Sequence, residues 1–264
     1  MAARAERLEL AHQSIDLPGA PAVVVPADLD GDGRRDLVIV VVYREWGEIG
    51  EDRFEDMMEI VEVVPALFDR REIIAYLADA DGHLRSAGPP LPIGRDVLSV
   101  QEGPPGVPVL ALTEGGIARV ALSGAQGPAL SMTPLLESSP VIAGSETFLP
   151  KLNVIDDLDG DGIPDLLFPA PDGLVIYRGT GDGVAESAAA QVPLPGHHSF
   201  WGRTGSVLYP LPTVHDVNVD GLPDLVVQAS DDRHVHVLLG KGDGSFGSPS
   251  VLSVPEPNGD DEKA

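Results

Sequence analysis

Three ten-residue segments carry the chain's most chemically pointed pattern. They are Asp28-Leu29-Asp30-Gly31-Asp32-Gly33-Arg34-Arg35-Asp36-Leu37, Asp157-Leu158-Asp159-Gly160-Asp161-Gly162-Ile163-Pro164-Asp165-Leu166 and Asp216-Val217-Asn218-Val219-Asp220-Gly221-Leu222-Pro223-Asp224-Leu225. Each reads D-x-[DN]-x-D-G-x-x-D-L, numbered here from position 1 to position 10. Acidic side chains at alternate positions, with glycine allowing the chain to turn sharply, converge hard oxygens on one point. Positions 1, 3, 5 and 9 offer side-chain oxygens and position 7 a backbone carbonyl. That donor set suits Ca²⁺, which takes six to eight oxygens at about 2.3–2.6 Å. Without a cation, carboxylates this close repel one another. Asp-Gly turns also arise for backbone reasons alone, but three copies in register argue for cation binding.

The flanking sequence says what must hold these loops. An EF-hand needs a bidentate Glu at position 12 and a helix on each side; position 12 is Ile39, Phe168 or Val227. Each loop runs directly into an apolar, largely β-branched stretch that reads as a strand. A dockerin-type repeat also needs a following helix, and thrombospondin-type loops need cysteine, of which there is none. What remains is a loop joining two β-strands. After it come a second apolar run (Ile73–Leu77, Leu174–Tyr177, Val235–Leu239), a turn containing Asp-Gly, and a weaker strand ending in a Pro-rich phrase. Such turns between apolar runs are hairpin signals, so each unit predicts a four-stranded antiparallel meander.

Loops two and three start about 60 residues apart, and loops one and two about twice that, a repeat spacing with one member hidden. The hidden unit is legible as Val97–Val100, Glu102-Gly-Pro-Pro-Gly106, Val109–Leu112 and Ile117–Leu122: strands kept, ligands lost. Four repeats follow, over 20–94, 95–147, 148–205 and 206–255. An outer strand is expected at 8–17, an insertion at 43–70 (a short helix or an extended hairpin) and an acidic tail at 256–264.

The three loops, with Gly242-Asp243-Gly244-Ser245-Phe246-Gly247 after the third, resemble the FG-GAP (VCBS-like) repeats of integrin α-type propellers. The resemblance covers most of the chain, from about Leu8 to Pro255. It implies an all-β single-domain β-propeller of four-stranded antiparallel blades. Four repeats would make a closed four-bladed ring, or an arc of a larger propeller. It also implies three Ca²⁺ sites. Their ligands would be Asp28, Asp30, Asp32, the Arg34 carbonyl and Asp36; Asp157, Asp159, Asp161, the Ile163 carbonyl and Asp165; and Asp216, Asn218, Asp220, the Leu222 carbonyl and Asp224.

Composition narrows the partners. Thirty glycines and 25 prolines in 264 residues disfavour a helical bundle. A formal charge of −25 repels nucleic acid and anionic lipid, and no apolar stretch reaches the length of a membrane span. No signal segment is read in the opening MAARAERLEL. Because calcium is abundant outside the cytoplasm, the expected setting is extracellular, periplasmic or the cell surface.

No G-x-S-x-G, H-E-x-x-H or phosphate loop is present, so the expectation is a non-enzymatic scaffold for adhesion, binding a protein or a glycan. The densest polar-aromatic group, His197, His198, Trp201 and Arg203 before Tyr209, is a candidate ligand-binding loop. The alternative function, a polysaccharide lyase or hydrolase, would use that 197–209 loop. His234 and His236 share a strand face but read as solvated side chains, with no third ligand to complete a zinc site.

Overall fold

The computed structural model describes residues 13–43, 70–123, 129–140, 148–149, 152, 154–170, 173–193, 212–228 and 234–253. The described residues form an all-β protein with no helix. Four antiparallel sheets follow one another along the chain. The first runs β1 (Ala20–Ala27), β2 (Asp36–Tyr43), β3 (Arg70–Ala78), β4 (Leu84–Ser86), with β5 (Leu91–Ile93) joining the other end of β3. The second is β6 (Val97–Glu102), β7 (Val109–Thr113), β8 (Gly116–Ser123) and β9 (Ala129–Glu137). The third is β10 (Ile155–Asp156), β11 (Asp165–Ala170), β12 (Gly173–Tyr177) and β15 (Ala190–Pro193). Between its last two strands, β13 (Gly179–Thr180) and β14 (Gly183–Val184) make a separate small hairpin. The fourth is β16 (Thr213–His215), β17 (Asp224–Gln228), β18 (His234–Leu238) and β19 (Ser250–Ser253).

Burial follows the sequence pattern. The run Leu37–Val42 in β2 is apolar at every position, as expected of a strand covered on both faces. Val38, Val40 and Val42 join a core with Val97, Val100, Val109 and Val120 of the second sheet. Ile39, Val41 and Ile74 form a separate cluster on the opposite face, with Leu17 packed against it. A second inter-sheet core joins Leu98, Leu110 and Ile117 to Leu166, Phe168 and Tyr177 of the third sheet. There Phe168 and Tyr177 meet edge to face with ring centroids 6.4 Å apart. A third core joins Leu167, Leu174 and Ile176 to Leu225, Val227 and Leu238 of the fourth. Each sheet therefore packs on the next. Among the described residues, no core cluster spans the fourth sheet and the first, and a closed ring is not seen.

A buried polar link crosses the first interface. Arg71 is fully buried; its Nη1 donates to the Val97 carbonyl at 3.2 Å, and its guanidinium lies 5.8 Å from the Phe148 ring centroid. A buried guanidinium is tolerable only with such partners.

Several expectations change on contact with the structure. The outer strand expected at 8–17 is not formed by its described part, residues 13–17. Instead the Gln13 side-chain amide pairs with the backbone of Leu84, Nε2 to the carbonyl at 3.0 Å and the Leu84 N–H to Oε1 at 2.9 Å. A side chain thus satisfies the edge of β4 where a strand was expected. The outer strand of the first sheet is split in two: β4 pairs with Tyr76–Ala78 and, after an interruption at 87–90, β5 continues along the same edge of β3 opposite Arg71–Ile73.

Residues 44–69 of the insertion lie outside the described residues, but its ends are fixed. Tyr43 and Arg70 are direct partners across β2 and β3. The Arg70 guanidinium sits 4.4 Å from the Tyr43 ring centroid, and the Tyr43 hydroxyl donates to Glu72 at 2.6 Å. That hydroxyl, chiefly, with Arg70, holds the Glu72 carboxyl below its ordinary range.

Candidate metal centres

The three Asp loops occupy equivalent places, each linking the first and second strands of its sheet (β1–β2, β10–β11, β16–β17). Their hydrogen-bond circuits match. The position 1 carboxylate accepts two backbone N–H groups: Asp28 from Gly31 and Gly33 at 2.8 and 2.9 Å, and Asp157 from Gly160 and Gly162 at 2.8 and 2.9 Å. Asp216 accepts from Asp220 and Gly221 at 3.1 and 2.9 Å. Position 3 accepts from the N–H of position 5, at 3.2, 3.2 and 3.0 Å in loops one to three. Position 5 accepts from position 7, at 2.9, 2.7 and 2.9 Å. Position 6 is glycine with φ of 85, 83 and 86°, a left-handed conformation that only glycine adopts readily.

The position 9 carboxylate has a different task. Asp36, Asp165 and Asp224 are buried. One oxygen of each accepts the position 2 N–H, from Leu29, Leu158 and Val217 at 2.9, 3.2 and 2.9 Å. The other accepts an N–H at or just beyond the end of the third strand, from Ala78, Gly179 and Gly240 at 2.8 Å each. Each aspartate therefore fastens its loop to the far strand of its own hairpin. The degenerate corner between β6 and β7 has no carboxylate fastener; it is closed by backbone bonds, Gly103 N–H to Pro108 and Val107 N–H to Pro104, with the Arg119 guanidinium donating to the Gly106 carbonyl.

The oxygens are well placed for a cation at two corners. One oxygen each of Asp28, Asp30 and Asp32 lie within 4.8 Å of one another, and so do those of Asp157, Asp159 and Asp165. Ligands at about 2.3–2.6 Å from a calcium ion can stand no more than about 5 Å apart across it. The all-oxygen donor set and its spacing therefore fit Ca²⁺. Loop three carries Asn218 at position 3, whose Nδ2 donates to Asp220 at 2.9 Å.

Burial pushes the Asp165 carboxyl above its ordinary range, against the pull of the Gly179 and Leu158 N–H groups, and the charges of Asp161 and Asp157 push the same way. A cation at this corner would oppose that shift.

Two arginines enter the picture that sequence reasoning did not assign. Arg34, named above for its carbonyl, turns its guanidinium onto Asp32 and donates from Nε to the Ala78 carbonyl at 3.0 Å. Arg178, directly after β12, pairs with Asp159 of loop two and also donates to the Asp243 carbonyl in the fourth sheet. Only the equivalence of the three corners exposes Arg178, because nothing in the residues around it resembles a motif.

A third acid-rich group, Asp79, Asp81 and His83, lies exposed at the turn between β3 and β4. There Asp79 accepts the N–H groups of Asp81 and His83 at 2.9 and 2.8 Å, the ordinary work of an Asp turn.

A cavity of about 580 Å³ opens where the inner strands of the second and third sheets end, bordered by Gln101, Glu102, Asp156, Asp157 and Pro164. Burial raises the Asp156 carboxyl above its usual range. Of the remaining candidates, His197, His198, Trp201 and Arg203 lie outside the described residues. His236 is half-buried rather than solvated, with its Nδ1 enclosed, because it faces the third sheet beside Val227 and not the open side.

No family model matches the chain, and no curated protein matches it. Among solved structures it is similar to a lectin of Agrocybe aegerita described as recognising non-reducing terminal N-acetylglucosamine, at 14% identity and a TM-score of 0.45. The match covers 88% of this chain and spans 65% of the length of that one.

Proposed function

We propose that this chain is a calcium-stabilised repeat protein of the FG-GAP type, a β-propeller or an arc of one. In this reading it works outside the cytoplasm as a non-catalytic scaffold that binds a protein or a glycan. The observation that carries the reading is the closely matching circuit of the three Asp loops, two of which gather three carboxylate oxygens within 4.8 Å of one another. The succession of four packed antiparallel meanders supports it.

The role of the ion is to fasten. Calcium at a corner would join the first two strands of a sheet and relieve the repulsion among three or four carboxylates, while the position 9 aspartate ties that corner to the third strand. The same aspartates speak for a scaffold rather than a catalyst, because they are engaged by backbone N–H groups that hold the loop's shape. Ligand contact would fall to the surfaces between corners. The cavity between the second and third sheets presents mostly acceptors, which suits the hydroxyl donors of a sugar.

Thermal denaturation with calcium and with chelator tests this reading. An affinity of about 10⁻⁴–10⁻³ M is typical of extracellular modules. At the tighter end of that range ~10 mM CaCl₂ is about 100 times Kd and adds about 2.7 kcal/mol per site, so the midpoint is expected to rise by about 5 °C or more. Equal midpoints, together with no heat of calcium uptake by the demetallated protein, would reject it.

A further inference from the structure

We propose that Arg178 is a built-in cation that competes with the divalent ion at the second loop and sets its affinity. This rests on the calcium reading of the loops, but it concerns a residue outside the D-x-[DN]-x-D-G-x-x-D-L pattern.

The argument starts from register. The buried aspartates Asp36, Asp165 and Asp224 take an N–H from Ala78, Gly179 and Gly240, so these three residues are equivalent. The residues just before them are Leu77, Arg178 and Leu239. Two of the three corners are built with leucine there, so the guanidinium of the second is no requirement of the hairpin.

At the second corner that guanidinium is committed on two sides. One Nη pairs with Asp159, the side chains of Arg178 and Asp159 being 38% and 6% exposed, and the other donates to the Asp243 carbonyl in the turn of the fourth sheet. Gly244 makes room for it: a Cβ there would stand 3.2 Å from the Arg178 Nη2, and with φ of 72° the position suits glycine in any case.

Asp159 is also one of the three oxygen donors that converge with Asp157 and Asp165. An ion bound through Asp159 would lie within about 5 Å of the guanidinium, where a +2 and a +1 charge repel in a partly dry setting. The two cations therefore exclude each other. Without a divalent ion, Arg178 neutralises the corner and fastens the third sheet to the fourth. With one bound, it must release Asp159.

The first loop is under a weaker version of the same constraint. Arg34 pairs with Asp32, but those side chains are 44% and 26% exposed, so water screens the pair. In loop three the polar contact to Asp220 comes from Asn218, a neutral amide.

Calcium titration calorimetry on the full chain tests the proposal, comparing the wild type with Arg178→Leu, which installs the residue of the sister corners. Arg178→Gln serves as a second variant that removes the charge but keeps a donor for Asp243. Both variants are expected to bind one calcium about tenfold more tightly than the wild type while the other sites stay unchanged, the scale of losing one close like charge. Simple damage to the corner would weaken binding, so the direction of the change separates the two explanations. Uptake of one additional ion by the variants alone would support the proposal equally. Calcium binding by the wild type with unchanged or weaker binding by both variants overturns the role of Arg178 and leaves the loop reading standing. No uptake by any of the three proteins overturns the loop reading and this proposal together.

Discussion

Aspartates in one motif do unlike work. Asp30 sits exposed at position 3, accepting one long bond from the Asp32 N–H at 3.2 Å. Asp36, six residues on, is buried and takes two N–H groups, from Leu29 and Ala78. In chelator, Asp36→Ala strands both donors and is expected to lose about 2–5 kcal/mol, since each unpaired buried group costs about 1–3 kcal/mol. Asp30→Ala should lose about 0.5 kcal/mol, as exposed substitutions do. Urea denaturation of the two variants checks this; equal losses would mean that the position 9 carboxylate is not the fastener described. The sequence made every acid of the loop look like a ligand, because spacing reports which residues can converge. It does not report which of them the folded backbone has already engaged. Arg178 was illegible for the same reason: its partners, Asp159 and Asp243, lie on two different sheets.

Each loop, taken as an element, was readable to the residue, since glycine at a sharp turn and an apolar run after it are local signals. The third copy departs from its sisters at position 4. Gly31 and Gly160 have φ of 78 and 76°, whereas Val219 is forced to 61°, a conformation that crowds a β-branched side chain. Val219 is 88% exposed, so no packing compensates. Val219→Asn is expected to stabilise the protein by about 0.5–1 kcal/mol, because Asn tolerates this region without glycine's extra freedom in the unfolded chain. A chemical melt reads the change, and a loss of stability would refute the strain. Residues 13–17 form no strand at this scale, because a run of residues does not disclose that one side chain, Gln13, can pair with a strand edge.

In the whole molecule the sheets are unequal. The second and third are packed on both faces and the first has its own outer cluster, whereas the fourth shares a core only with the third. Its outer face carries Val226, Val235, Val237 and Leu252 in register, and Leu252 is 57% exposed. In a stack where each layer leans on its neighbours, amide hydrogen exchange should be fastest in β17–β19 and slowest in β7, β8 and β11. Uniform protection would mean that the fourth sheet is covered. The order of strands within a sheet was visible in the sequence as a recurring local pattern. Which faces meet was not, because a valine facing a neighbour and one facing water are spelled alike. The insertion leaves and re-enters the sheet at a single rung, Tyr43 opposite Arg70. Across such a rung the two chain ends stand only about 5 Å apart. That makes the spot a natural splice point, where a foreign segment with adjacent termini, or a bare two-residue turn, could replace the excursion without pulling on the ladder beneath it.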